Sequence, residues 1–547
     1  MPVVTFEFDD FINLLGYEIS KKKLVEKIPM IGADLDKVEG NEINIEFFPN
    51  RPDLTSVEGI VRAARSFLDF EKGMKKYPLE KSDITLNVEP SVKKVRPYIS
   101  TALVKNVTMN DRLIASLMQL QEKLHFGLGR NRQKVAIGVH NYEPIKPPFL
   151  YKAVDPDSLQ FVPLGKIESM TLSKILRKHE KGKEYRHILE GFKKHPIILD
   201  SNDNVLSYPP IINGILTEVT PFTKDLFIDV TGTDKKAVNY ALNIVVTALA
   251  ERDGKLYSTQ VKDVEDDFFT PDLKTDKKDI SVEYVNKILG TDMDKQKVIE
   301  SLEKMGYKTT QKNNRTIKVE IPPWRSDILH EIDLVEDVAI GYGFQNFEYD
   351  LPKSMTFGKN LPDHNLHETL RTTMIGLGFN EVNTFTITNE RDEYKKFGLK
   401  EEEKRVRIKN PIGEEYTCIR TNLLPSLMKI LKKNRHHNLP QKIFELGIVV
   451  EDGVHNTYHL SAAKIDAKAN FTECKSIVEA VLNEIDIDYK LENGQHPGFI
   501  KGRCALIKRS DKDKEIGIFG ELHPKTITEF ELSHPTIAFE LKTKHLK

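Results

Sequence analysis

The sequence is poor in cysteine, and its cysteines do not suggest a framework. The chain of 547 residues has three, Cys418, Cys474 and Cys504, which are far apart and make no Cys-x-x-Cys motif. A disulfide scaffold and a thiolate zinc site are therefore not expected, and a reducing environment such as the cytoplasm fits the composition. The start of the chain, MPVVTFEFDDF, is acidic and lacks a signal-peptide pattern.

Long hydrophobic runs and an excess of charge are also missing. No apolar run approaches the roughly 20 residues that span a membrane, so no contact with a membrane is expected. The 81 basic and 82 acidic residues almost cancel, for a net charge of −1. That total indicates neither a polybasic nucleic-acid binder nor an acidic solvating protein, although local RNA binding remains open. At this length we expect three or four domains.

What the chain does contain is an acidic stretch, PPWRSDILHEIDLVEDV, at residues 322–338. A shift of 274 residues aligns this region, without a gap, with the start of the chain. The shift superimposes Leu15-Gly16 on Leu289-Gly290, Ile43, Ile45 and Glu46 on Ile317, Val319 and Glu320, and Pro49, Arg51 and Asp53 on Pro323, Arg325 and Asp327.

This repeat predicts two copies of one small α+β module. Each copy is expected to have a helix ending in Leu-Gly, with the glycine as a left-handed cap, and then a second helix. A half-buried edge strand (INIEF or IKVEI), a turn marked by proline and a longer helix follow. The Arg and Asp that the copies share are predicted to be architectural.

Three acids distinguish the second copy, because Asp333, Glu336 and Asp337 align with Gly59, Arg62 and Ala63. A helix from about residue 328 would place these acids on one face, since they are related by i+3 and i+4. Asp327 would precede this helix and could cap it. Three interpretations stay open: a solvated acidic face with a cap, a site for a hard cation such as Mg²⁺, and a contact for a basic partner.

The middle of the chain holds two candidate sites. In GLGRNRQKVAIGVHN, residues 127–141, three basic side chains could contact RNA phosphates, although a solvated basic loop explains them equally well. His140 in this segment is more typical of a hydrogen-bonded core or rim histidine than of a catalyst. In LSYPPIINGILTEVT and the following DVTGTD, small polar residues could surround an apolar pocket, or could bond to their own backbone in a structural turn.

The region from about residue 355 predicts an antiparallel sheet flanked by helices. The expected helices are LHETLRTTMIGLGF and LLPSLMKILKKN. The expected strands are NTFTIT, RVRIKNP, KIFELGIVVE, CALIKR, EIGIFGEL and TIAFEL.

Over essentially its whole length the sequence resembles the β subunit of phenylalanyl-tRNA synthetase, in its shorter archaeal and eukaryotic form. The signatures that carry the resemblance are FFPNRPDLTSVEGIVRAAR, RPYISTALV, LSYPPIING, DVTGTD, WRSDILHEIDLVEDVAIGYGF and FELG, in this order. The resemblance implies an α2β2 enzyme that uses ATP to attach phenylalanine to tRNA(Phe). It also implies an editing activity that hydrolyses Tyr-tRNA(Phe), because a pocket for phenylalanine rejects an added hydroxyl only modestly.

The implied fold is α+β with several domains. Residues 1–84 would form the first module, which is winged-helix-like, and 85–268 an inserted editing domain. Residues 269–354 would form the second module, and 355–547 a class II synthetase-like domain. That last domain would be non-catalytic, because GIFGELHPKTITEFEL lacks the Arg of the third class II motif. The synthetic active site is therefore expected on the α subunit, and no residue of this chain is assigned to ligation.

The resemblance also assigns candidate site residues. The editing site would be lined by Ser207, Asn213, Thr217, Asp229 and Thr231, with His140 as a further candidate. It would position a water, because no Ser-His-Asp spacing supports a covalent nucleophile. Magnesium shared with the α subunit would be held by Asp327, Asp333, Glu336 and Asp337. Contacts with tRNA are expected from Arg130, Arg132 and Lys134, whereas Arg420 and the run KKNRHHN at 432–438 are either structural or tRNA-facing.

Two alternatives remain from the sequence. A non-enzymatic nucleic-acid-binding regulator would present a basic helix to a groove, but the corresponding helix here is acidic. A tRNA-binding scaffold that has lost editing would differ only in hydrolytic activity, so the sequence does not exclude it.

Overall fold

The structure, a computed structural model, describes residues 3–313, 315–351, 356–400, 405–511 and 513–546. The chain divides into two compact units, Met1–Leu351 and Pro352–Lys547. Both units mix helices with sheets, which confirms the predicted α+β multidomain class. Within the described ranges, none of the helices is both long and apolar enough to cross a membrane.

The first unit begins with a small module built on a three-stranded sheet in the order β1-β3-β2. The central strand alternates buried and exposed positions, and its buried side chains join those of the helices in one core. The elements are β1 (Val3–Glu7), α1 (Phe8–Leu15), α2 (Lys21–Lys27), β2 (Ala33–Glu39), β3 (Glu42–Phe47) and α3 (Val57–Phe67).

A ten-stranded sheet follows, in the order β12-β11-β10-β7-β4-β14-β5-β13-β6, with β15 paired to β14. Side chains of α4 and α7 share a core with its strands. The elements are β4 (Leu79–Val88), β5 (Tyr98–Lys105), α4 (Asp111–Phe126), β6 (Val135–Asn141), β7 (Phe149–Val154), β8 (Gln160–Phe161), β9 (Met170–Thr171), α5 (Leu172–Lys178), α6 (Glu180–Tyr185), β10 (His195–Leu199), β11 (Val205–Tyr208), β12 (Ile212–Asn213), β13 (Leu226–Gly232), α7 (Lys235–Ala250), β14 (Lys255–Lys262) and β15 (Asp267–Thr270).

The second small module repeats the first, with a sheet in the order β16-β18-β17. Its elements are β16 (Asp276–Ser281), α8 (Val282–Leu289), α9 (Lys295–Lys304), β17 (Lys308–Gln311), β18 (Thr316–Ile321) and α10 (Glu331–Tyr342). The shift of 274 residues carries α1 onto α8 and β3 onto β18 with the same bounds. Gly16 and Gly290 both cap their helices with positive φ, 76° and 67°.

The structure corrects two details of the modules. The strands INIEF and IKVEI are central rather than at an edge, because each pairs with a strand on both sides. Helix α10 begins at Glu331, not near residue 328, and its N-cap is His330 rather than Asp327. The carboxylate of Asp333 reaches back to accept hydrogen bonds from the backbone N–H groups of Leu329 and His330, at 2.7 and 2.6 Å.

The second unit contains a seven-stranded sheet in the order β19-β22-β23-β27-β26-β25-β24. Every neighbouring pair is antiparallel except β19 with β22. The elements of this unit are α11 (His364–Gly376), β19 (Asn380–Glu381), β20 (Ile387–Thr388), α12 (Glu390–Glu393), β21 (Cys418–Ile419), α13 (Leu424–Lys433), β22 (Gln441–Glu451), β23 (His455–Ile465), α14 (Phe471–Glu484), β24 (Tyr489–Asn493), β25 (Phe499–Arg509), β26 (Lys514–Leu522), α15 (Pro524–Glu529) and β27 (Thr536–Lys542).

Two predicted strands of this unit are largely absent from the part of the chain that the structure describes. In NTFTIT only Ile387–Thr388 is a strand, because the backbone N–H of Thr384 donates to the carboxylate of Glu445 instead of to a neighbouring strand. In RVRIKNP, Arg407 makes a single bridge with Cys418. The other predicted strands and both predicted helices are present.

Candidate active site

A cavity of about 420 Å³ opens between α4, β6, β13 and the segment from β11 to the turn after β12. The pairing of β13 with β6 sets one wall, with Asp229 opposite Gly138 and Thr231 opposite Ala136. The residues predicted from the sequence to line an editing pocket meet here, and they come from two short segments of the chain. Those that line the cavity are Ser207, Asn213, Thr217, Asp229 and Thr231.

His140 lies behind this wall and joins two of the lining residues. Its side chain is fully buried in β6. Nε2 lies 2.7 Å from Oδ1 of Asp229, and Nδ1 lies 2.7 Å from Oγ1 of Thr217. The predicted core histidine is therefore present, and it also connects two walls of the cavity.

The number of protons available to Thr217, His140 and Asp229 limits how the three side chains can be hydrogen-bonded. A neutral imidazole has one N–H, and an ionised carboxylate only accepts hydrogen bonds. With neutral His140, Nε2–H donates to Asp229 and the hydroxyl of Thr217 donates to Nδ1. If Thr217 instead donates to the carbonyl of Gly214, 3.2 Å away, both imidazole nitrogens must be protonated. In both states Asp229 is an acceptor held by His140.

The arrangement has the order of a hydroxyl–imidazole–carboxylate triad, which the sequence spacing did not indicate. In a triad that forms an acyl-enzyme, the imidazole must also protonate the leaving group, so it must reach the substrate. All three residues are almost fully buried, His140 at 0% exposure and Asp229 and Thr217 at 1%, but only Asp229 and Thr217 belong to the lining of the cavity. This geometry suits Asp229 as the group that contacts a water, with His140 as its support.

Gly138 makes room for the His140–Asp229 pair. A Cβ built on this glycine would collide with Oδ1 of Asp229 and with Nε2 of His140. Both atoms belong to side chains packed in a fully buried strand pair, so neither can move far. The glycine therefore keeps the carboxylate and the imidazole close enough for a hydrogen bond.

The remaining predicted lining residues are held by hydrogen bonds. The hydroxyl of Ser207 donates to Oδ1 of Asn213 at 3.1 Å, and Nδ2 of Asn213 donates to the carbonyl of Val139 at 3.4 Å. Nε of Arg96 donates to the hydroxyl of Thr231 at 2.9 Å. Burial lowers the pKa of Arg96 to about 10, which still leaves the guanidinium charged at neutral pH.

The second wall contains the guanidinium of Arg132, which the sequence analysis predicted to be at an RNA-binding surface. Arg132, predicted to contact RNA phosphates, is 8% exposed and lines the cavity. Its guanidinium pairs with Glu122 at 2.7 Å, donates to the carbonyl of Ile211 at 3.1 Å, and stacks on the ring of Tyr185. Arg130, Asn131 and Arg132 all have positive φ, between 48° and 66°. This turn points Arg132 inward rather than to solvent.

The other two predicted phosphate contacts lie near the surface. Arg130 is exposed. Lys134 forms an ion pair of 3.2 Å with Asp234, the N-cap of α7. A patch of three free basic side chains is therefore not present in this segment.

Glu122 and His125 are functional candidates that the sequence analysis missed. Both belong to α4 and line the cavity. The proximity of His125, whose Nδ1 lies 3.6 Å from Oε1 of Glu122, together with the ion pair to Arg132, lowers the pKa of Glu122 to about 2. Burial lowers the pKa of His125 to about 4, and its Nε2 accepts a hydrogen bond from the backbone N–H of Ile137. Their i, i+3 spacing was the available signal, but it is common on helices.

The predicted metal residues occupy a different cavity, of about 750 Å³, between the two small modules. Arg51–Asp53 and Arg325–Asp327 form equivalent two-bond ion pairs at 2.7–2.9 Å, as expected of the shared architectural residues. Arg325 also donates to Asp337 at 2.6 Å, and the hydroxyl of Tyr307 donates to the same carboxylate. The additional acid thus neutralises an arginine that is 2% exposed.

These contacts do not fit a magnesium site built from all four carboxylates. Asp327 and Asp337 are engaged by Arg325, and Asp333 caps α10. Glu336 is exposed at the surface, and partial loss of solvent around its carboxyl group, together with the neighbouring acids, raises its pKa. Among the described residues, no group of three His, Cys, Asp or Glu side chains is arranged to hold a metal ion.

In the second unit, Arg420 has a structural role. It is 1% exposed and pairs with Glu445 at 2.9 Å, while its Nε donates to the carbonyl of Ile448. The basic run at 432–438 continues from the end of α13 and is largely exposed, with Lys432 paired to Glu531 at 2.6 Å. Arg420 and the basic run therefore differ in their positions, since Arg420 is buried and the run is at the surface.

Comparison with known proteins identifies the class. The family described as "Phenylalanyl tRNA synthetase beta chain CLM domain" matches residues 348–543, and "tRNA synthetase B5 domain" matches residues 278–344. The second unit and the second small module thus have the sequence features of tRNA synthetase chains.

Whole-chain relatives agree. The phenylalanine–tRNA ligase beta subunit of Methanosarcina barkeri is 44% identical over 547 residues, covering 100% of this chain and 99% of that protein. The one from Archaeoglobus fulgidus is 44% identical over 543 residues, 99% of this chain and 98% of that protein. An N-terminal fragment of the Pyrococcus horikoshii beta subunit matches with a TM-score of 0.60 and 39% identity, covering 62% of this chain and 99% of that one. The chain belongs to the phenylalanine–tRNA ligase beta subunit family.

Proposed function

We propose that this chain works in the cytoplasm in an α2β2 ligase and hydrolyses Tyr-tRNA(Phe) in the cavity lined by Asp229. The α subunit would carry the ATP-dependent attachment of phenylalanine to tRNA(Phe). The observation that supports hydrolysis is the joining of Asp229 and Thr217 by the fully buried His140 at the wall of a half-apolar cavity.

In this proposal Asp229 activates a water. The water attacks the carbonyl carbon of the ester, its proton passes to Asp229, and the C–O bond to the terminal ribose breaks. The proton then neutralises the ribose oxygen, so that tyrosine and intact tRNA leave. His140 holds the carboxylate in its orientation, and Arg96 and Thr231 stabilise the adjoining wall.

Selection of tyrosine requires a partner for its hydroxyl. A cavity with a hydrogen-bonding group rejects an analogue that lacks the hydroxyl, because the buried group is then left unpaired. Several polar groups line the cavity besides the proposed base, among them the Ser207–Asn213 pair and Glu122. Asn213→Ala is therefore expected to reduce the preference for Tyr-tRNA(Phe) over Phe-tRNA(Phe).

The test supplies preformed Tyr-tRNA(Phe) and Phe-tRNA(Phe) to the chain alone and to the chain co-expressed with a candidate α subunit. Selective release of tyrosine is the expected result, and the two preparations show whether the activity needs the assembly. Release from neither preparation, with normal charging by the complex, would leave the chain as a tRNA-binding scaffold.

For magnesium, only two of the four predicted residues are proposed as ligands. Asp333 and Glu336 are the carboxylates outside the Arg325 ion pairs, and they line the same cavity. Mg²⁺ usually keeps several waters and needs only one or two carboxylates from a protein. We propose that these two residues hold hydrated Mg²⁺ together with groups of the α subunit. Metal analysis of the dialysed complex tests this, since Glu336→Gln is expected to lower the bound Mg²⁺ and Glu331→Gln to leave it unchanged.

A further inference from the structure

A separate cavity of about 300 Å³ lies inside the second unit, between α12, α13 and the seven-stranded sheet. One part of its wall is apolar and includes Phe397, Leu424 and Ile518. The other part includes the acidic residues Glu393, Glu515 and Glu540. An apolar wall beside convergent charged groups is the usual composition of a small-molecule site.

Glu393 is the unusual member of this wall. It is 0% exposed. Its Oε1 accepts three hydrogen bonds, from the backbone N–H groups of Thr421 and Asn422 at 2.7 Å and from the hydroxyl of Thr421 at 2.9 Å. Its buried Oε2 finds no hydrogen-bond partner anywhere in the described chain. Native structures rarely leave such an atom unsatisfied, so it indicates a missing donor.

The other charged groups around the cavity are already paired. Glu540 accepts hydrogen bonds from the backbone N–H groups of Leu423 and Leu424, and Nδ1 of His459 lies 2.7 Å from it. Nε2 of His459 contacts Glu451 at 3.2 Å. Glu515 pairs with Lys542 at 3.3 Å. The one lysine of the cavity wall is thus bound to a different acid, and the charge of Glu393 has no cation opposite it within the described residues.

We propose that this cavity binds a small organic ammonium ion with an apolar body. The ammonium donates to Oε2 of Glu393, and the hydrocarbon packs against Phe397, Leu424 and Ile518. A carboxylate ligand would instead meet the charges of Glu393 and Glu540. The proposal is independent of hydrolysis in the first unit.

The charge state of Glu393 gives the site a pH dependence. Burial, with Glu540 adding to the effect, raises the pKa of Glu393 to about 7. The other titratable groups nearby are His459, Glu515 and Lys542, already described, together with Cys418, whose pKa burial raises to about 12, and His496, whose pKa burial lowers. Only ionised Glu393 pairs with an ammonium, so affinity for the cation is expected to rise between pH 6 and pH 8.

The experiment measures binding of 2-phenylethylammonium to the full-length chain by calorimetry, with 3-phenylpropanol and 3-phenylpropanoate as neutral and anionic analogues. The wild-type chain is expected to bind the cation at least tenfold more tightly than either analogue. Glu393→Gln is expected to weaken binding of the cation at least tenfold. Glu484→Gln, at an exposed position of α14, is the matched control and is expected to bind as wild type.

Three results would overturn the proposal: no binding of the cation at millimolar concentration, equal binding of the three compounds, or unchanged binding by folded Glu393→Gln. If Glu393→Gln does not fold, the proposal is still tested with the wild-type chain, by comparing its binding of the three compounds and by measuring its binding of the cation as a function of pH. An affinity for the cation that falls as the pH rises from 6 to 8 would contradict pairing with ionised Glu393.

Discussion

Nε2 of His140 lies 2.7 Å from Oδ1 of Asp229, inside a pair of strands that excludes solvent from the imidazole. Asp229 is almost as deeply buried, at 1% exposure, but it belongs to the lining of the cavity and His140 does not. In the proposed reaction Asp229 is the base, and the imidazole fixes the rotamer of its carboxylate. Asp229 and His140 should consequently respond differently to substitution.

His140→Gln is expected to slow Tyr-tRNA(Phe) hydrolysis, by less than removal of Asp229 does. Glutamine keeps one donor toward Asp229 but cannot bond to Asp229 and Thr217 with the geometry of an imidazole. Single-turnover hydrolysis as a function of pH is the measurement. A positioning role predicts a slower rate and a shifted pH profile. A rate equal to wild type at every pH would contradict it.

Gly138→Ala is expected to impair hydrolysis without any change in a polar group. The added methyl collides with the side chains of Asp229 and His140 in packed strands, and overpacking of this kind costs about 1–3 kcal/mol of stability. Gly376→Ala, in open space on α11, is the matched control. It is expected to preserve hydrolysis and to raise helix stability slightly, by roughly 1 kcal/mol or less. Equal hydrolysis by the two variants would remove the proposed role of Gly138.

Acid is expected to destabilise the first unit through His125. Burial lowers its pKa to about 4 in the folded chain, against about 6.5 for an exposed histidine. The unfolded chain therefore binds a proton that the folded chain refuses, and stability falls as the pH falls from about 6.5 to about 4. The loss is at most about 3 kcal/mol for a shift of this size. His125→Gln, followed by denaturant unfolding at several pH values, should flatten this part of the pH profile.

Asp337→Asn is expected to destabilise the second module. It removes one of the two carboxylates that neutralise the buried guanidinium of Arg325. Breaking a buried ion pair on one side costs about 3–5 kcal/mol, and Asp327 would retain part of that. In the metal-free chain, Asp333→Asn removes the charge of a helix cap, for about 1 kcal/mol. In thermal unfolding, the midpoint temperature of Asp337→Asn should be well below that of Asp333→Asn. The reverse order of the two temperatures would contradict the assigned roles.

The sequence predicted the repeated modules well, because an ungapped repeat restricts both copies at once. Its residue signals are local: Leu-Gly at a helix end, alternation in INIEF and IKVEI, and the shared Arg and Asp. It placed Asp327 at a helix cap because nothing in the linear order shows that Arg325 folds back onto it. Helical spacing puts Ile332 on one face with Val335, yet Ile332 is 42% exposed while Val335 is buried.

For the cavity, the sequence predicted which residues form the lining but not the contacts that hold them. Ser207, Asn213, Thr217, Asp229 and Thr231 could be grouped in advance, because two short polar segments carry them all. The link through His140 depends on the pairing of β6 with β13, which a sequence pattern does not specify. The inward turn of Arg132 depends on three consecutive residues with positive φ. Residues other than glycine seldom adopt this conformation, so an arginine in the sequence does not predict it.

The most direct test of the proposed editing role is single-turnover hydrolysis of Tyr-tRNA(Phe) by the complex carrying Asp229→Asn. Asp253→Asn, at an exposed turn position with positive φ that asparagine tolerates, is the control. The proposal predicts that Asp229→Asn slows hydrolysis by about 10²- to 10⁴-fold, that Thr217→Val has a smaller effect, and that charging with phenylalanine is unchanged. Hydrolysis at the wild-type rate by folded Asp229→Asn, or its loss in Thr217→Val alone, would contradict it.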